Sequence, residues 1–237
     1  MFHKLVLFVA AALMSLLLWI GLEKTYPIFG FEDIIAEGRT MGGMTAEMTE
    51  AYKVALFKSD LVSFGLWGAT LGAFCGFGAF GAGRHKFIGL AVGLAAGAAC
   101  GALAAYLGTQ HEIRNEYSGA SSFTYWLTRW SALTLPIALA AGLAAGIGSG
   151  GGGKRISDGV VAALIGAVIT IVGLVVLVGI VTPVERFELV FPAFSQTRAL
   201  AVFLLNLSIV GMLMLQLKMG KGVSASTGTD VAPASSS

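Results

Sequence analysis

Six apolar runs alternate with polar stretches along this chain. The first opens with His3 and Lys4 and continues apolar from Leu5 to Ile20, within Met1 to Leu22. The others cover Leu61 to Gly81, Phe87 to Gly108, Ser131 to Ser149, Gly159 to Val181 and Ala199 to Leu217. At about 1.5 Å per residue, a helix of roughly 20 residues crosses a hydrocarbon core of about 30 Å, so each run predicts a membrane-spanning helix. The third run carries no charge and repeats glycine at every fourth place: Gly89, Gly93, Gly97 and Gly101. Residues four apart share a helix face, so these glycines predict a smooth groove into which another backbone can settle. The predicted class is all-α, a polytopic membrane bundle of six transmembrane helices.

The segments between the runs sharpen this picture. A cleaved signal peptide would place small residues in an A-x-A pattern after the first run. Trp19-Ile20-Gly21-Leu22-Glu23 stands there instead, so residues 1–22 are read as a retained span. Residues 23–60 form an extracytoplasmic loop with an amphipathic helix that starts at Thr45, a good N-cap followed by Glu47 and Glu50. Met48, Tyr52, Ala55 and Leu56 share one face of it, which predicts a helix at the membrane surface or leading into the next span. Thr109 to Arg129 reads as a polar loop ending in aromatics, and Thr182 to Arg198 as another loop. Residues 61–217 make a five-helix bundle, and 218–237, small and polar, a disordered cytoplasmic tail.

An offset of seventy residues superposes the second and third spans on the fourth and fifth without a gap. Gly72 then meets Gly142, Gly76 meets Gly146, Gly78 meets Gly148, and Gly89 meets Gly159. Gly81 and Gly83 meet Gly151 and Gly153, and Arg84 meets Lys154. Each unit, 61–108 and 131–181, is a glycine-rich helix, a basic turn and a second helix. Two spans per unit preserve orientation, so these are expected to be two parallel hairpin repeats about an axis along the membrane normal. Their helix-packing positions are Gly89, Gly93, Gly97, Gly101, Gly142 and Gly146.

Composition agrees with the pattern. Only 12% of the 237 residues are charged, 56% are hydrophobic and 33 are glycine, against about 25% charged and 7% glycine in ordinary globular chains. Mean hydropathy is +0.83. A net charge of +2 gives no reason to expect a nucleic-acid partner. Arg84, Lys86, Lys154 and Arg155 occupy the two tight turns, and Lys4, Lys218 and Lys221 the ends, whereas the longer loops hold most of the acids. Basic residues collect in short cytoplasmic loops, so both termini are expected in the cytoplasm of a bacterial-type inner (plasma) membrane. Trp19, Trp67, Trp126 and Trp130 are expected towards the opposite interface. Cys75 and Cys100 differ in depth by about 7 Å, which argues for two packing residues and against a disulfide.

Residues that resemble chemical motifs have plainer explanations. Gly148 to Lys154 matches most of a phosphate loop, but Arg155 replaces its Ser or Thr and a membrane helix replaces the preceding strand. The two G-x-G-x-x-G matches, from Gly76 and from Gly148, also follow helices. The basic turns could still attract anionic lipid headgroups. Glu112 and Glu116 flank Arg114 beside His111, the pattern of a local ion pair in a loop. His3, His85 and His111 are scattered and make no metal set. Asn206 is the most polar residue in mid-span and is expected to bond a neighbouring helix. Pro136 should release the carbonyl of Ala132, with Ser131 and Thr134 near enough to compensate. No Asp, Glu, Lys, Arg or His lies within the six apolar runs, which weighs against an ion-coupled carrier.

These features lead to the expectation of a non-catalytic integral membrane protein, a structural or interaction subunit of a membrane assembly, with no cofactor or metal. Its partners would be the lipid bilayer and either membrane proteins or further copies of itself. The alternative is a small transporter or channel built from the two hairpin repeats.

Overall fold

The computed structural model describes residues 2–25, 29, 45–79, 84–115, 123–150, 152–181 and 195–223. Six helices among them are long and apolar enough to cross a membrane, the architecture of a multi-pass membrane protein. They are α1 (Phe2–Thr25), α2 (Ala46–Ala73), α3 (His85–Asn115), α4 (Phe123–Gly148), α5 (Gly153–Val181) and α6 (Ser195–Val223). A six-residue π-helical segment, Phe74–Ala79, prolongs α2.

Chain neighbours pack side by side: α2 on α3, α3 on α4, α4 on α5 and α5 on α6. Helix α1 returns to lie mainly against α6, and α2 also touches α4. Where α4 and α5 meet, the buried positions are mostly alanine: Ala138, Ala141 and Ala145 on one helix, Ala162, Ala163 and Ala167 on the other. Larger side chains fill the α6 side, with Val202, Leu205, Ile209 and Leu213 fully buried. Apolar side chains also cover the outside of the bundle, among them Leu17 on α1, Phe87 on α3 and Val168 on α5, each more than half exposed. A lipid-facing exterior has this character, because hydrocarbon tails solvate such side chains as well as a protein core does.

Several element boundaries differ from the sequence reading. Thr45 does cap α2, its hydroxyl accepting from the Met48 N–H at 3.2 Å. The helix it starts continues unbroken to Ala73, so the amphipathic stretch of the 23–60 loop and the second span are one element. No glycine or proline lies between Ala46 and Gly65 to interrupt it. Helix α3 extends past Gly108 to Asn115, and α4 starts at Phe123, so the aromatics assigned to a polar loop belong to helices. Helix α6 runs beyond Leu217 to Val223, taking in the first part of the assigned 218–237 tail. Lys218, Met219 and Lys221 are helix formers, and Gly220 and Gly222 do not stop it before Val223. Residues 224–237 lie outside the described residues, as do Gly81, Gly83 and Gly151 of the seventy-residue alignment.

Tryptophan placement also differs. Trp67 and Trp130 are 3% and 2% exposed and sit in the core cluster, so both rings face protein rather than lipid. Cys75 and Cys100 are free thiols, the first buried and the second half-buried.

Candidate functional site

The closest helix contacts run along α2 and α3, and glycine makes them possible. A Cβ built on Gly68 would overlap the carbonyl oxygen of Gly97, and one on Gly72 that of Gly93. The relation is mutual, since a Cβ on Gly93 would overlap the Gly72 carbonyl and one on Gly97 the Gly68 carbonyl. One turn above, a Cβ on Gly101 would strike the carbonyl oxygen of Phe64. In every case the obstacle is backbone, which cannot rotate away as a side chain would.

At its lower end this seam becomes a three-helix junction. A Cβ on Gly76 would lie 3.1 Å from the Cα of Gly89. One on Gly89 would lie 2.7 Å from the Cα of Gly148, and one on Gly148 would meet Gly76 again. Backbones of α3, α4 and the π-helical segment therefore touch within one layer. The wider π turn falls at this junction, an irregularity that recurs in helices at functional sites. The second hairpin is tight too: a Cβ on Gly142 would stand 2.7 Å from the Gly159 carbonyl oxygen, and one on Gly146 would meet Ile156 and Arg155. Likewise Gly166 on α5 faces the Ile209 backbone of α6, where a Cβ would lie 2.8 Å from its Cα.

A polar chain crosses the bundle at mid-depth. The Trp67 indole Nε1 donates to Asn206 Oδ1 at 3.0 Å, and Asn206 Nδ2 donates to Ser15 Oγ at 3.0 Å. Ser15 passes its own proton to the Ala11 carbonyl at 2.7 Å. Asn206 and Ser15 are fully buried. Helices α1, α2 and α6 are thus joined by directed bonds, as expected of Asn206 towards its neighbours. The sequence reading missed Trp67 and Ser15, since nothing in a sequence indicates which helix will face Asn206. Thr170 bonds the Gly166 carbonyl at 2.9 Å and also approaches the Leu204 carbonyl of α6 at 3.3 Å.

Pro136 lies inside α4, but the nearby hydroxyls serve other carbonyls than the one it frees. Ser131 donates to Leu127 and Thr134 to Trp130, both at 2.7 Å.

The end of the bundle remote from the basic turns is polar and partly buried. Arg198 at the start of α6 holds Glu23 at the end of α1 through two oxygens, at 2.7 and 2.9 Å. Ser59 accepts from the Phe29 N–H at 3.1 Å. Asp60 on α2 is fully buried, and Arg129 on α4 is 2% exposed with its guanidinium 5.2 Å from the Trp126 ring. Counted from Gly76 and Gly148 at 1.5 Å per residue, they stand about 24 and 28 Å up their helices, near the far boundary of a ~30 Å core. Sequence reasoning placed both outside the apolar runs. For Asp60 the clue was the helical spacing that continues upstream of Leu61 through Asp60 and Leu56, both buried.

At the opposite end, Arg84, Lys154 and Arg155 are exposed and Lys86 half-exposed. Lys86 lies 5.4 Å from the Phe77 ring centroid and 5.2 Å from that of Phe87. The Arg155 guanidinium bonds the Ser149 carbonyl and closes the turn around Gly150, whose φ of +120° favours glycine. The phosphate-loop lookalike is therefore a link between α4 and α5, and Gly148 is occupied in packing against Gly76.

The His111 ring packs at a tilt against Tyr125 of α4, with ring centroids 5.0 Å apart. Glu112 and Arg114 fall on α3, while Glu116 and the side chains of this group lie outside the described residues. Among the described residues no three His, Cys, Asp or Glu side chains gather closely enough to hold a metal ion. Comparison with protein-family models, with curated proteins and with solved structures finds no match.

Proposed function

We propose that this chain is a non-catalytic structural or interaction subunit of a membrane assembly. The observation that carries this reading is the closure of the bundle by backbone contact. Glycines of α2, α3 and α4 bring main chains together at successive levels. The mid-depth polar groups of Ser15, Trp67 and Asn206 are spent on one another. A conduction route needs polar groups or backbone presented to a water-filled space. Here the polar groups named at mid-depth bond between helices.

The seam is a glycine zipper in this reading, and the two hairpins are parallel repeats. In support, the pair Gly76 and Gly89 has its seventy-residue counterpart in Gly146 and Gly159, where a Cβ on Gly159 would lie 3.2 Å from the Gly146 nitrogen. Both termini and both basic turns face the cytoplasm of a bacterial-type inner membrane, as the Lys and Arg bias favours. The partners are lipid together with membrane proteins or further copies of the chain.

Static light scattering of the chain extracted in mild detergent tests the assembly. A discrete species above the 24.4 kDa of one chain is expected after correction for detergent. A lone monomer that dissipates an ion gradient in vesicles would favour a transporter or channel instead. That second reading draws on Asp60 and Arg129, because buried ionisable groups near the membrane core commonly mark transport pathways.

A further inference from the structure

The glycine junction also brings the two basic turns together. Gly148 sits against Gly89 and Gly76 with no side chain between their backbones. Lys86 lies only about 4.5 Å along α3 from Gly89 at 1.5 Å per residue, with Arg84 just before it. Lys154 and Arg155 follow Gly148 across the short turn into α5. Four cations from two hairpins therefore share one end of the bundle. None of them forms an ion pair with a carboxylate among the described residues, whereas Arg198 pairs with Glu23 at the opposite end. Neither α3 nor α5 has an acid in its first turn; Asp158, four residues beyond Lys154 on α5, is the acid nearest in sequence to these cations and leaves the group net positive. The first turns of both helices add their positive dipole ends to the same region.

The surroundings fit one class of ligand. Phe77 and Phe87, 39% and 58% exposed, flank Lys86 and are apolar, whereas Arg84 and Lys154 are open to solvent. Apolar rings beside exposed cations suit a boundary between acyl chain and headgroup. We propose that the joined basic turns form a binding site for a phosphate-bearing anion, the headgroup of an anionic phospholipid. Lys86 and Lys154 supply one charge from each hairpin, and Phe77 and Phe87 lie against the first part of the acyl chain. Arg155 is already committed in part to the Ser149 carbonyl and holds the turn in shape. The site rests on the membrane reading of the chain, so its test begins by separating the two.

Flotation of the full chain with phosphatidylcholine vesicles reads membrane insertion alone, and failure to float would count against the membrane reading. Binding is then read by native mass spectrometry of the chain in detergent, titrated with short-chain phosphatidylglycerol or phosphatidylcholine. Phosphatidylglycerol is expected to bind at least tenfold tighter. Lys86→Gln and Lys154→Gln should each weaken it about fivefold, the factor for one basic residue near an anionic surface. The double variant should bring it to the phosphatidylcholine level. Lys58→Gln, an exposed lysine towards the other end of α2, should change nothing. Inorganic phosphate distinguishes the source of the anion. If it displaces phosphatidylglycerol at concentrations no higher than the lipid's own, the lipid assignment is overturned; resistance at those concentrations supports it. Unchanged phosphatidylglycerol preference in a double variant that melts with the parent would overturn the site altogether.

Discussion

Replacing Gly93 tests the α2–α3 seam, and two opposed effects decide the outcome. Alanine is a better helix former than glycine by about 1 kcal/mol, so Gly93→Ala should stabilise a helix that stands free. But a Cβ at Gly93 would overlap the Gly72 carbonyl and lie 2.8 Å from the Ala73 nitrogen. Carbon contacts are comfortable at about 3.5–4.0 Å, so α2 and α3 would have to part by roughly 1 Å. Overpacking of that kind costs about 1–3 kcal/mol. We therefore expect Gly93→Ala to lose about 0–2 kcal/mol net, and Gly93→Ile, with its branched side chain, about 3 kcal/mol or more. At about 2–4 °C per kcal/mol for a chain of this size, isoleucine should lower Tm by roughly 6–12 °C. Gly97→Ile should behave alike, since its Cβ would stand 2.9 Å from the Ala69 Cα. Two controls isolate the cause. Gly211 has nothing within 4 Å of a built Cβ, so Gly211→Ala should hold or raise Tm. Leu94, 46% exposed, should accept isoleucine with little change. The assay is thermal unfolding in mild detergent, followed by tryptophan fluorescence. If Gly93→Ala raises Tm as Gly211→Ala does, the glycine face meets lipid and the seam does not exist.

Two other outcomes are expected. A double-mutant cycle with Trp67→Phe and Asn206→Ala should give a coupling of about 0.6–1.7 kcal/mol, the range of interhelical hydrogen bonds in membranes, and additive effects would show that the bond is not made. In a Cys75→Ala, Cys100→Ala background, Glu50→Cys and Ser157→Cys should label from opposite faces of sealed vesicles, with Ser157 on the cytoplasmic side; labelling from one face would overturn the topology.

The six spans were legible because a membrane helix declares itself locally, through a run of apolar residues of fixed minimum length. The four-residue glycine rhythm of α3 was visible for the same reason. Its partners were not: that Gly68, Gly72 and Gly76 would face Gly97, Gly93 and Gly89 depends on how two helices are rotated about their axes. The same applies to Trp67, which sequence alone placed at an interface, as its amphipathic ring would suit. In the bundle its indole N–H finds Asn206, reached only by folding α6 back across the structure. Asp60 and Arg129 were obscured by the rule that found the spans, since a window bounded by apolar residues stops at the first charge. Helices continue beyond such windows when the next residues are good helix formers, as α2, α3 and α6 do.

Backbone closure of the bundle and a non-conducting role stand or fall together in one measurement. The purified chain is reconstituted into sealed vesicles carrying proton and potassium gradients, and their decay is followed beside that of empty vesicles. Decay no faster than in empty vesicles is expected. A faster decay that Asp60→Asn abolishes, while leaving reconstitution and Tm intact, would contradict the structural role and establish a path through the bundle.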